Sequence, residues 1–168
     1  HGQRIIKSVP KLPGAKYPEG EVPGPKARNL HLLVIGESTM SGVGVATHEE
    51  GFTGALARTL GAGWRTKVHW KVDARSGFTL RKLKVELLPL IEEAKADLIV
   101  VGMGGNEAFK MNTPAGFRKD MQAVIDDLRA KFGPDVPICF PNMPPIKEFP
   151  AFTPLIKFTL GNMVEYFG

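Results

Sequence analysis

Three short, nearly continuous apolar runs stand out along the chain: Leu30–Ile35, Leu98–Met103 and Val136–Phe140. Glycine, proline, asparagine or aspartate bounds each of them. Runs of this length without polar alternation predict strands buried on both faces of a parallel sheet. Val68–Val72 reads Val-His-Trp-Lys-Val, an alternation suited to a strand nearer a sheet edge. Between these runs the apolar period lengthens to that of helices. Phe52, Ala55, Leu56 and Leu60 predict one apolar face, closed by Gly61 and Gly63. Leu80, Leu83, Leu87, Leu90, Ile91 and Ala94 predict a second, with Thr79 as N-cap and a kink at Pro89. Phe117, Met121, Val124, Ile125, Leu128 and Phe132 form the clearest face, opened by Thr113-Pro114 and stopped at Gly133-Pro134. A last pattern, Phe152, Leu155, Ile156, Met163 and Val164, runs almost to the end. Strand alternating with helix in this way predicts one open α/β sheet with right-handed crossovers.

Residues 1–29 break the pattern. Pro10, Pro13, Pro18, Pro23 and Pro25 rule out a helix or an inner strand there, so an extended arm is expected, followed by a domain over 30–168. The arm also changes the meaning of the net charge of +5. Arg4, Lys7, Lys11, Lys16, Lys26 and Arg28 against Glu19 and Glu21 place +4 of it in the arm. The domain is then nearly neutral, and no basic helix interleaved with aromatics follows, so a nucleic-acid partner is not expected. With 43% hydrophobic and 23% charged residues, the composition is that of an ordinary globular domain. No stretch approaches the roughly 20 apolar residues of a membrane span. A single cysteine, Cys139, excludes an internal disulfide and is expected to be a buried, inert thiol. The four histidines show no zinc-ligand spacing, so neither metal nor cofactor is implied.

In an open α/β sheet, reactive groups sit on loops at the carboxyl ends of the strands. The first such loop reads Gly36-Glu37-Ser38-Thr39-Met40-Ser41-Gly42-Val43-Gly44. The second reads Arg75-Ser76-Gly77-Phe78, and the third Gly102-Met103-Gly104-Gly105-Asn106-Glu107. A serine, a glycine amide and an asparagine side chain converging on one edge would make a nucleophile with an oxyanion hole. Its donors are the N–H groups of Ser38 and Gly77 and the side-chain N–H of Asn106.

These residues resemble the SGNH (GDSL-like) hydrolases, whose serine, glycine, asparagine and histidine lie in four sequence blocks. The resemblance spans roughly residues 30–160. Ser38, with Gly42 and Gly44 after it, matches the nucleophile block; Gly77 matches the second; Asn106 in Gly104-Gly105-Asn106 matches the third. Met143-Pro144-Pro145-Ile146 resembles the substrate-side loop. The resemblance implies a three-layer α/β/α sandwich with a flavodoxin-like parallel sheet, strand order 2-1-3-4 counted from Leu30–Ile35. It also implies a serine ester hydrolase acting through an acyl-enzyme on small esters. Glu37 and Glu107 stand where the family usually has aspartates. The family's Asp-x-x-His block, which supplies the general base, has no counterpart before Gly168. From ordinary element lengths, about 30–60 residues with the last strand and helix would be absent. A chain so shortened would expose the flank of its fourth strand and could self-associate there. The alternative function is a non-catalytic acyl-binding fragment or pseudoenzyme.

Blander roles compete for the same residues. Ser38 alone could cap a following helix. The glycines of 36–44 follow neither dinucleotide- nor phosphate-binding order. His31 and His69 fall inside strands and read as structural. His48, ten residues beyond Ser38, is the only substitute base in view, with capping or exposure as its ordinary role. Phe149 and Phe152 could line an acyl pocket or pack the last helix.

Overall fold

The computed structural model describes residues 12–25, 29–110 and 112–142. Five strands form one sheet: β1 (Glu19–Val22), β2 (Asn29–Gly36), β3 (Lys67–Ala74), β4 (Leu98–Gly102) and β5 (Ile138–Cys139). Their spatial order is β1-β3-β2-β4-β5. β3, β2, β4 and β5 are parallel neighbours, which is the expected 2-1-3-4 order, and β1 adds antiparallel to the outer edge of β3. β4 lies between two strands and under two layers, and every one of its residues is buried. That position is why its sequence shows no alternation.

Alternating side chains of the central strands feed two cores. Leu32, Val34, Val68, Trp70 and Val100 pack toward helix α1 (Phe52–Trp64). Leu33, Ile35, Ile99 and Val101 pack on the other face, under α2 (residues 80–90) and α4 (Pro114–Phe132). Helix α2 runs from Leu80 to Leu90: an α turn at Leu80–Lys82, a π turn at Leu83–Leu87, and a 3-10 turn at Leu88–Leu90 around Pro89. The short α3 (Gly105–Phe109) precedes α4 (Pro114–Phe132). α4 is bounded as expected: Thr113 accepts from the Gly116 N–H at its start, and Gly133 ends it at φ 107.

Four expectations need correction. The buried face of α1 is Thr53, Gly54, Ala57 and Gly61, while Phe52 is 40% exposed and Ala55 faces solvent. Small residues let the helix lie close to the start of β3: a Cβ on Gly61 would sit 3.3 Å from the Thr66 carbonyl oxygen. Leu56 and Leu60 close the flank of that contact. Ala94 lies beyond α2, because Pro89 tightens the last turn and the helix ends at Leu90. The fourth predicted strand shrinks to Ile138–Cys139, since Pro137 has no N–H and joins the ladder only by accepting from Ile99. Cys139 is exposed, not buried, because β5 pairs on one side only among the described residues. The final helical pattern, Phe149, Phe152 and Met143–Ile146 lie outside the described residues.

The described part of the arm is fastened to the domain. Pro18 accepts from the Val72 N–H at 2.7 Å, and β1 then pairs from Glu19↔Lys71 to Val22↔Val68. The indole of Trp70 lies against Gly20, where an added Cβ would fall 2.2 Å from the ring. Gly20→Ala should therefore destabilise the protein by about 1–3 kcal/mol, the usual cost of overpacking. Urea unfolding measures it, and an unchanged midpoint would mean that the arm lifts away without cost.

Candidate active site

The site is built by strand register. Gly36 at the end of β2 aligns with Ala74 of β3 on one side and with Gly102 of β4 on the other. The loops bearing Ser38, Gly77 and Asn106 thus leave the sheet at one level. A Cβ on Gly36 would meet the Gly102 carbonyl at 2.4 Å and Met40 at 2.5 Å. Glycine here allows the chain after β2 to fold back over its neighbour, with Met40 plugging the strand ends.

Ser38 opens a tight turn. Its carbonyl accepts from the Val43 N–H at 3.2 Å and the Ser41 hydroxyl at 3.0 Å. Neither its own hydroxyl nor its own N–H has a hydrogen-bond partner among the described residues. The N-cap of α1 is Gly51, so the Ser38 side chain caps no helix. Arg75–Phe78 forms a turn closed by the Phe78 N–H on the Arg75 carbonyl, with Gly77 third at φ 82. That is the type II geometry that selects glycine. The Gly77 N–H has no acceptor among the described residues, and the space where its Cβ would point is open.

Two glutamates tie these loops together. Glu37, 7% exposed, uses one carboxylate oxygen to accept from the Gly104 and Gly105 N–H groups, at 3.0 and 2.7 Å. Its other oxygen accepts from the Asn106 backbone N–H at 3.1 Å and from the Asn106 side-chain amide. The same amide nitrogen donates to the Phe78 carbonyl at 3.0 Å. Glu107, 2% exposed, accepts from the Leu80 N–H at 2.6 Å and the Asn112 side chain at 2.8 Å. Glu37 thus joins the first loop to the third, while Asn106 and Glu107 join the third to the second. Burial pushes the Glu37 carboxyl up from its ordinary 4.5, against three backbone N–H groups that pull it down. In the sequence both residues stand only where the family usually has aspartates, and neither is singled out for the site. The signal available was a carboxylate directly after the buried end of a strand, residues 32–36, where an ionised group needs several donors.

His48 is buried rather than exposed. Its carbonyl accepts from Gly51 and Gly54 ahead of α1, its N–H donates to Lys16 of the arm, and its ring lies against Gly42. No hydrogen bond joins it to Ser38 among the described residues. Burial lowers its pKa from 6.5. A base depressed in this way contributes stability above its unfolded value, and that contribution is lost as pH falls through the folded one. Relative to His48→Gln, the parent should therefore lose stability as pH falls below the ordinary histidine value of 6.5. Parallel urea-midpoint profiles for the two proteins would contradict this. His31 and His69 stack at 5.4 Å on neighbouring strands, with His69 3.1 Å from Glu21 of β1. Both lie inside strands, where the sequence places them.

A 2-1-3-4 sheet whose strand-end loops carry Ser38, Gly77 and Asn106 defines a domain of the SGNH-hydrolase fold, and solved structures agree. AlinE4, an SGNH-hydrolase family esterase, superposes with a TM-score of 0.58 at 21% identity, covering 84% of this chain and 75% of that one. The lipase Lip_vut3 from a goat rumen metagenome gives 0.61 at 17% identity, covering 82% and 74%. TesA gives 0.54 at 24% identity, covering 80% and 69%. No curated protein matches the sequence. The profile of the GDSL-like lipase/acylhydrolase family matches residues 34–162, and the chain belongs to that family.

Proposed function

We propose that this domain hydrolyses small carboxylic esters through an acyl-enzyme on Ser38. The observation that carries the reading is the shared exit level of three loops, at which a serine hydroxyl and two backbone N–H groups have no partner among the described residues. Ser38 Oγ attacks the ester carbonyl and gives its proton to a base. The tetrahedral oxyanion is held by the N–H groups of Ser38 and Gly77 and by the Asn106 side chain. Collapse expels the alcohol, which takes up the proton. Water then attacks the acyl-serine by the same route and releases the acid.

No described histidine bonds Ser38, and in this reading a histidine from outside the described residues relays the proton. Among the structural neighbours, AlinE4 is an esterase and Lip_vut3 a lipase, which favours ester chemistry over other acyl transfers. Turnover of a chromogenic short-chain ester tests the proposal. Saturable hydrolysis supports it, whereas binding without turnover supports the non-catalytic alternative.

A further inference from the structure

A carboxamide nitrogen carries two hydrogens, and both of those on Asn106 are engaged in this structure. One meets the second carboxylate oxygen of Glu37 and the other the Phe78 carbonyl. Asn106 can therefore serve an oxyanion only by giving up one of these acceptors. Hydrogen bonds to an ionised acceptor are about twice as strong as neutral ones. The bond to Phe78 is accordingly the one exchanged, and the bond to Glu37 is the anchor.

We infer that Glu37 is a positioning residue acting through Asn106: its carboxylate fixes one side-chain N–H so that the other is presented to the oxyanion. This rests on the reading of Asn106 as an oxyanion donor. The exchange moves an N–H from a neutral carbonyl to a developing negative charge, so the bond strengthens along the reaction, as catalysis requires. The N–H set free starts from the Arg75–Phe78 turn, which also carries the Gly77 donor.

Glu37 could instead be only a staple for the third loop, and its two oxygens allow the roles to be separated. One takes Gly104 and Gly105, and the other takes Asn106 alone. In Glu37→Gln the amide oxygen can still accept from the two glycines. Its NH2 group then faces the donors of Asn106, which breaks the anchor and spares the staple.

The experiment is a double-mutant cycle on the full chain, comparing parent, Glu37→Gln, Asn106→Ala and the double variant on the same chromogenic ester. Glu37→Gln should lower kcat on the order of tenfold to a hundredfold, the usual cost of a misplaced catalytic group, with KM little changed. The double variant should be no slower than Asn106→Ala alone. In 15N–1H spectra the Asn106 side-chain amide should show one strongly downfield proton that Glu37→Gln removes. Losses that multiply in the double variant, or an unchanged kcat in Glu37→Gln while Asn106→Ala is impaired, would overturn the positioning role and leave the oxyanion reading standing. An unaffected Asn106→Ala would instead remove the oxyanion reading and the inference with it. Should Glu37→Gln fail to fold, Glu37→Asp withdraws the carboxylate by one methylene, and the same criterion of non-additivity decides.

Discussion

Ser38→Ala is expected to abolish ester turnover while leaving unfolding by urea within about 0.5 kcal/mol of the parent, the range of substitutions that touch no packed or bonded group. The loop explains why the two effects separate. The turn after β2 is held by the Ser38 carbonyl, by Ser41 and by Met40, none of which the substitution removes. The hydroxyl bonds nothing among the described residues. Its loss therefore costs chemistry and not structure: without the Ser38 hydroxyl the acyl-enzyme does not form, and what remains is the acceleration from binding and the oxyanion donors. A variant that retained turnover would pass the nucleophile to Ser41 or Ser76, the other serines on these loops.

Asn106→Ala is expected to lower kcat on the order of 10²–10³-fold with a smaller change in KM, the usual loss for one oxyanion donor. The split follows from timing. The Asn106 side chain is satisfied by Glu37 and Phe78 before substrate arrives, so it contributes little to ground-state binding. Its contribution appears when negative charge forms on the carbonyl oxygen. The truncation also deprives the Phe78 carbonyl of a donor, so thermal unfolding should accompany the kinetics. A loss of stability with unchanged kcat in the folded fraction would reduce Asn106 to a loop residue.

How far the sequence reads through to the fold depends on how local each cause is. β4 was legible because a strand buried on both faces writes an unbroken apolar run. α4 was legible because Thr113 and Gly133 mark its ends with local chemistry. The face of α1 was not, because periodicity selects large apolar side chains, whereas its buried face holds small ones: Gly54 against the Glu49 backbone, and Ala57 and Gly61 toward the sheet. β1 was illegible for a different reason. Glu19-Gly20-Glu21-Val22 carries no apolar period, and only pairing with β3, distant in sequence, makes it a strand. At the site, Ser38, Gly77 and Asn106 could be picked out from their positions after strands. The role of Glu37 could not, since its acceptors' partners are N–H groups of a loop 67 to 69 residues away.

Covalent labelling tests the central claim most directly. A fluorophosphonate should lose fluoride to the attacking Ser38 oxygen and leave one stable phosphonyl adduct, which peptide mass mapping should locate on Ser38 and which should be absent from Ser38→Ala. An adduct on Ser41 or Ser76, or labelling that persists undiminished in Ser38→Ala, would contradict the assignment of Ser38 as the nucleophile.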